Sequence, residues 1–348
     1  MSPEPGSSPL SIVDKPPGWN RAADLRAPFP WFGGKSRIAA LVWERFGNVT
    51  NYVEPFFGSG AVLLGRPHEP GIETVNDLDC YLSNFWRALQ HDPDEVTKWA
   101  DSPVNEADLH ARHLWLVNRV DFREAMKTDP DFYDAKIAGW WVWGLSSWIA
   151  SGWCTTGSLA RQMPQLSSFG HGVHRKLLSL SGTGQGVHRK LISLDSGRGI
   201  RSERAVQGLE RYMRGLAERL RYVRVCCGDW SRICGPCPTT GLGLTGVFLD
   251  PPYLGYEGCY STENVAVADD VREWAVAAGK HPLMRIALCG YEGQYQMPDD
   301  WQCVPWKAIG GYSSTGTAAA ENARRERVWF SPHCLEAIQT VLPLEFSD

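Results

Sequence analysis

The chain has 348 residues, 43% hydrophobic and 21% charged, the composition of an ordinary globular protein with one or two domains. It opens without a basic start followed by an apolar run. Its most apolar stretch, IAGWWVWGLSSWIASGW at 137–153, is shorter than the roughly 20 residues of a membrane span, so neither a secretory leader nor an anchor is expected. Ten cysteines in such a chain predict reduced thiols in a cytoplasm, and a net charge of −4 taken alone argues against a polyanion partner.

In chain order, the Pro- and Ser-rich residues 1–27 are expected to form a disordered tail. APFPWFGGKSRIAALVWERF (27–46) predicts an extended lead-in, a glycine turn and an amphipathic helix. TNYVEPFFGSGAVLLG (50–65) predicts a short strand, a glycine-bearing turn and a helix start; IETVNDLDCYLSNFWRALQ (72–90) repeats that logic. Such alternation predicts an α/β domain with largely parallel strands. From residue 91 to Trp153 the pattern is helical and rich in aromatic residues, with 137–153 as a buried or interfacial helix.

A tandem repeat follows: RQMPQLSSFGHGVH, RKLLSLSGTGQGVH and RKLISLDSGRGIR, from Arg161 to Arg201. Three short, glycine-rich units are too few for a solenoid with its own core. They read either as a duplicated surface loop or as a basic arm touching phosphates. The charge distribution favours the arm. Residues 161–224 hold thirteen Lys or Arg against four acids, so the rest of the chain carries an excess of thirteen negative charges. The basic candidates are Arg161, Arg175, Lys176, Arg189, Lys190, Arg198 and Arg201.

Val206, Leu209, Met213, Leu216, Leu220 and Val223 then recur by threes and fours, predicting a helix over 205–225 with its arginines on a solvated face. YVRVCCGDW, LTGVFLDPPY, LMRIALCGY and RRERVWFSP supply further strands, so one α/β body is split by an insertion at about 91–204. CGPC at 234–237 has redox spacing, and Cys226 and Cys227 lie near it. Loop sequence follows it rather than a helix, and an adjacent Cys pair is a poor zinc ligand set, so a plain loop is expected and no metal.

Three predicted strands end at an acid: Glu54, Asp77 and Asp229. Neighbouring strand ends of a parallel sheet converge on one crevice. Carboxylates there suit ribose hydroxyls and an adenine amino group, and they tolerate a cationic sulfonium where they would repel a triphosphate. Gly58 and Gly60 allow close backbone approach. A fourth strand runs into FLDPPY. Asp250 can accept one N–H of a nucleobase amino group and the Pro251 carbonyl the other, aiming the nitrogen lone pair at an electrophilic methyl. Pro251 and Pro252 fix that carbonyl and add no donor, and Tyr253 can stack on a base taken out of the helix.

PFPWFGGKSR, YVEPFFGSGAVLL, VNDLDCYLSNFWRAL and FLDPPY, in that order, resemble the Dam-like class of S-adenosylmethionine-dependent DNA adenine-N6 methyltransferases, and the repeat resembles phage-encoded members. The resemblance covers about 28–90 and 220–331. It implies a Rossmann-like α/β fold, with a catalytic domain formed by 28–90 plus 205–335 and a largely helical target-recognition region at 91–204. It further implies that Trp31, Lys35, Glu54, Phe56, Phe57, Gly58, Gly60, Asp77, Asp229 and Asp250 hold S-adenosylmethionine. Asp250, Pro251, Pro252 and Tyr253 are then catalytic. Double-stranded DNA is the implied partner, within a restriction–modification or phage setting that admits a cognate endonuclease. The same residues would serve an enzyme acting on N4 of cytosine, or a DNA-binding protein that kept the fold without catalysis. An aspartate opening the motif leans toward adenine by family analogy.

Overall fold

Strands covered by helices on both faces read as continuous apolar runs, and this chain builds its sheet from such strands. The computed structural model describes residues 25–29, 31, 35–129, 131–147, 153–154, 203–252, 263–306 and 325–336. Five strands run parallel: β1 (Asn51–Glu54), β2 (Ile72–Asp77), β3 (Arg224–Cys227), β4 (Thr245–Leu249) and β5 (Met284–Tyr291). β6 (Gln302–Pro305) and β7 (Glu326–Phe330) complete the sheet, with β7 antiparallel to both β5 and β6. The order across it is β3-β2-β1-β4-β5-β7-β6. Connections leave β1 toward β2 on one side, while β4 and β5 extend the other. A topological switch point therefore falls between β1 and β4, where open α/β sheets hold ligands beyond the strand C-termini.

Alternation along each strand divides two cores. Tyr52, Phe248, Ala287 and Cys289 face one side; Val53, Val247, Leu249, Ile286 and Leu288 face the other. The second core is closed by Ala268, Val271 and Ala275 of α9 (Glu263–Ala278). The first is larger and packs α1 (Ala39–Phe46), α2 (Ala61–Leu64), α3 (Cys80–His91) and α8 (Glu203–Leu220). The same core takes in α4 (Pro93–Ala100), α5 (Glu106–Val117), α6 (Val120–Thr128) and α7 (Ala135–Ser147), so the first part of the expected insertion shares its apolar interior with the α/β body. Trp141 and Trp143 of α7 are 2% and 0% exposed, which agrees with a buried helix, and no described helix is long and apolar enough to cross a membrane.

Local sequence explains the helix starts. Asp79 caps α3 by accepting from the Tyr81 and Leu82 N–H groups at 2.8 and 3.4 Å. Asp92 caps α4 with Pro93 at its first position, and Asn105 caps α5. β6 and α9 were not anticipated. β6 is a short edge strand, mostly exposed, with no alternation to betray it. At the N-terminus, residues 25–27 belonged to the expected disordered tail, yet Leu25 packs on the core and the Arg26 carbonyl accepts the Tyr212 hydroxyl.

α8 corrects one expectation. Leu209, Met213, Leu216 and Leu220 of its apolar stripe are buried as predicted, but not all of its arginines are solvated. The Arg219 side chain is 7% exposed and grips Glu73 of β2, with Nη1–Oε2 at 2.6 Å and Nη2–Oε1 at 2.8 Å. Arg66 meets the same carboxylate at 3.1 Å and donates to the Val49 carbonyl at 2.8 Å. A helical wheel places an arginine on a face; it does not show a carboxylate waiting there. Removing one partner of a buried pair leaves an uncompensated charge. Arg219→Met is expected to lower unfolding stability by about 3 kcal/mol. Arg214→Ala, which breaks an exposed pair with Asp94, should cost less than about 1 kcal/mol. Urea denaturation compares the two, and equal losses would contradict the buried triad.

Candidate active site

Four adjacent strands bring four acids to one edge. Glu54 ends β1, Asp77 ends β2, Asp229 follows β3 by two residues and Asp250 follows β4 directly. Glu54 is 2% exposed and accepts the Tyr52 hydroxyl at 2.8 Å. Tyr52 lies two residues earlier in the same strand, so both side chains share a face. Burial pushes the Glu54 carboxyl well above the carboxylate range; the Tyr52 hydrogen bond opposes that and the nearby Asp250 adds to it. Burial also raises Asp77, to about 6, against the N–H groups of Asp79 and Gly58. Those two groups donate to Oδ1 and Oδ2, each at 3.0 Å.

Asn76 ties the loops together. Its Nδ2 donates to the Pro55 carbonyl at 3.1 Å and the Gly228 carbonyl at 2.9 Å, while the Asn76 backbone carbonyl accepts from the Phe57 N–H at 2.9 Å. One residue near the end of β2 therefore ties down the loops after β1 and β3. Gly58 and Gly60 have φ of +49° and +70°, conformations in which a side chain is strained. A Cβ on Gly58 would lie 2.5 Å from Trp31 Nε1, and one on Gly60 would lie 2.8 Å from the Phe57 ring. The glycines thus make room for the chain's own aromatic rings. Trp31 packs edge-on to Phe29 at 5.8 Å, and Phe57 lies 5.1 Å from Trp86, whose Nε1 donates to the Gly58 carbonyl at 3.2 Å. Phe56 faces elsewhere, stacking on Trp230 at 6.3 Å. Asp229 is exposed and caps the short 3-10 turn at 230–233, its Oδ1 accepting the Ser231 N–H at 3.0 Å.

The Asp250 carboxylate forms a 2.9 Å ion pair with Lys35, whose side chain is 5% exposed. Burial alone would lower the Lys35 pKa, but Asp250, Cys289 and Glu326 outweigh it and hold it above its usual value. The ammonium also lies 5.4 Å from the centre of the Trp306 ring. After Asp250, Pro251 is buried and Pro252 partly so. Every predicted cofactor residue is therefore described, as are Asp250, Pro251 and Pro252. Tyr253 and the arm candidates Arg161, Arg175, Lys176, Arg189, Lys190, Arg198 and Arg201 lie outside the described residues. Sequence reasoning did not single out Tyr52, Asn76, Trp230, Trp306 or Glu326. Asn76 stood within the quoted VNDLD, but nothing in one strand's sequence announces an amide that bridges to two others.

Cys234 is buried and Cys237 exposed, both as free thiols. Burial, with Asp229 second, pushes Cys234 up to about 12. A redox dithiol needs an accessible thiolate, so the loop reading of CGPC stands over the redox one.

A mostly parallel seven-stranded sheet in this order, with acids on the C-terminal ends of four neighbouring strands beside a D-P-P turn, defines a Rossmann-like methyltransferase. Residues 31–137 match the family described as D12 class N6 adenine-specific DNA methyltransferase. No curated protein matches it.

The raised carboxyls set a pH dependence. Asp77 binds its proton more tightly folded than unfolded, so between pH 4 and 6 the folded state holds more protons. Stability must then fall as pH rises through that window. Urea unfolding from pH 4 to 7 should show that decline in the wild type and a flatter profile in Asp77→Asn. Parallel profiles would contradict the raised carboxyl.

Proposed function

We propose that the protein is a site-specific enzyme transferring a methyl group from S-adenosylmethionine to N6 of an adenine swung out of double-stranded DNA. The observation that carries this reading is the Asp250 carboxylate at the edge of a crevice whose other acids, Glu54 and Asp77, are held above their usual range. Carboxyls in that state gain from a cationic ligand, since a nearby positive charge restores their ionised form. The donor set thus fits S-adenosylmethionine. Asp77 accepts from the ribose hydroxyls, Glu54 faces the cationic portion, Asp229 lies near the adenine ring, and Trp31, Phe56, Phe57, Gly58 and Gly60 shape the cradle. Lys35 belongs to this wall through Asp250.

S-adenosylmethionine supplies an electrophilic methyl on a sulfonium. The chain's own contribution is orientation and charge. Asp250 accepts one N–H of the adenine amino group and the Pro251 carbonyl accepts the other, so the nitrogen lone pair is directed at the methyl rather than conjugated with the ring. Asp250 spreads the positive charge that develops on N6 and does not remove a proton beforehand, because an aromatic amine is far too weak an acid. Tyr253 stacks on the extruded base. Residues 28–90 and 205–335 form the catalytic unit, 91–204 recognise the target, and the basic repeat contacts phosphates.

Asp250→Asn tests the assignment with less damage than Asp250→Ala, because alanine leaves the Lys35 ammonium buried beside a void. The expected outcome is retained S-adenosylmethionine binding with transfer of labelled methyl reduced about 100-fold or more. Digestion of wild-type product should yield N6-methyladenine. Substantial transfer by Asp250→Asn, or N4-methylcytosine in the digest, would overturn the reading. For the repeat, changing Arg189 and Lys190 to Gln should weaken DNA binding at all sequences and flatten the slope of log affinity against log salt by about 2. An unchanged slope would remove the arm from the interface.

A further inference from the structure

Gly58 is gripped on three sides. Its N–H donates to Asp77 at 3.0 Å, its carbonyl accepts the Trp86 indole N–H at 3.2 Å, and its bare Cα faces Trp31, whose Nε1 a Cβ there would meet at 2.5 Å. Two of those grips come from regular elements of the α/β body, since Asp77 ends β2 and Trp86 lies in α3. The third does not. Trp31 precedes the first helix and belongs to no strand or helix, so the rings it packs on set its place.

An aromatic cluster supplies that packing. Phe29 lies edge-on to Trp31 at 5.8 Å and meets Phe85 and Trp86 of α3 at 5.4 and 6.0 Å. A further wall comes from α7, in the expected insertion. Trp141 lies 6.3 Å from Trp31, 5.3 Å from Phe29 and 5.9 Å from Phe85, all within the range of interacting aromatic pairs. It is buried, and its backbone carbonyl accepts the Trp153 indole N–H at 2.9 Å.

Building on the proposed function, we propose that Trp141 is a positioning residue for the methyl donor: from within the insertion it seats Trp31 against Gly58 and so shapes the loop that holds S-adenosylmethionine. Ordering a loop around a ligand costs entropy, and a ring held in place beforehand lowers that cost. Trp141 touches neither the methyl donor nor the base in this scheme and acts through Trp31. Residues 91–204 then contribute to cofactor binding as well as to target recognition.

Trp143 provides a matched control. It is buried on the same helix, but its indole N–H donates to the Ser102 carbonyl at 2.9 Å and its ring lies 4.1 Å from the Arg112 guanidinium, toward α4 and α5. Calorimetric titration of the full chain with S-adenosylmethionine is expected to show binding about fivefold weaker in Trp141→Phe, the size of one aromatic pair, and within about twofold of wild type in Trp143→Phe. In Trp141→Phe the KM for S-adenosylmethionine should rise in step, with kcat and affinity for a random-sequence duplex within about twofold of wild type. Because Trp141 acts through Trp31, adding Trp141→Phe to Trp31→Ala should weaken binding no further than Trp31→Ala alone. Unchanged cofactor affinity in Trp141→Phe, a matching loss in Trp143→Phe, further loss in the double variant, or failure of Trp141→Phe to fold would each reduce Trp141 to core packing and overturn the proposal. Failure of the wild type to bind S-adenosylmethionine or methylate DNA would instead overturn the functional reading itself.

Discussion

The buried ion pair between Lys35 and Asp250 is the constraint on which the rest of the site depends. It joins a residue just before the first helix to the end of a central strand some two hundred positions later, at 2.9 Å and largely out of water. Burying two charges is costly and is offset only by good geometry and additional polar partners. Here Trp306 lies by the ammonium, its ring centre 5.4 Å away. The β5–β7–β6 part of the sheet therefore does more than widen the structure. It carries the groups that let a lysine remain charged at the edge of the crevice.

The second organising contact is the Asn76 amide. Loops after parallel strands have no ladder to hold them, and their backbone polar groups must find other partners. Asn76 supplies side-chain donors to the loops after β1 and β3 while its backbone carbonyl takes the Phe57 N–H. With the Gly58 N–H on Asp77, this fixes the acids relative to one another before any ligand arrives. Preorganisation of this kind reduces the ordering cost of binding. The buried Arg66–Glu73–Arg219 cluster does a similar job at a distance, anchoring the helix that follows the insertion to β2.

Most of the scaffold was legible because local rules and global fold agree. Apolar runs leading into acids became β1 to β4, LMRIALCGY became β5, and the threefold and fourfold spacing over 205–225 became α8. The exceptions have physical causes. β6 is a short exposed edge strand with no hydrophobic pattern to read. Arg219 sits on the polar side of its helical wheel but is buried, because its partner lies on a strand far away in sequence. Phe56 and Phe57 are adjacent in the chain, yet one stacks on Trp230 and the other packs on Trp86, a division that backbone direction at the turn decides.

By itself the sequence determined the α/β class, the family resemblance, and the identity of the acids that end neighbouring strands, since strand periodicity and the DPPY turn are local properties. Tertiary structure alone decided that Lys35 meets Asp250 and that Asn76 spans three loops. These are contacts between strand ends whose register and order no single segment encodes, and electrostatic balance in a buried site depends on that three-dimensional proximity.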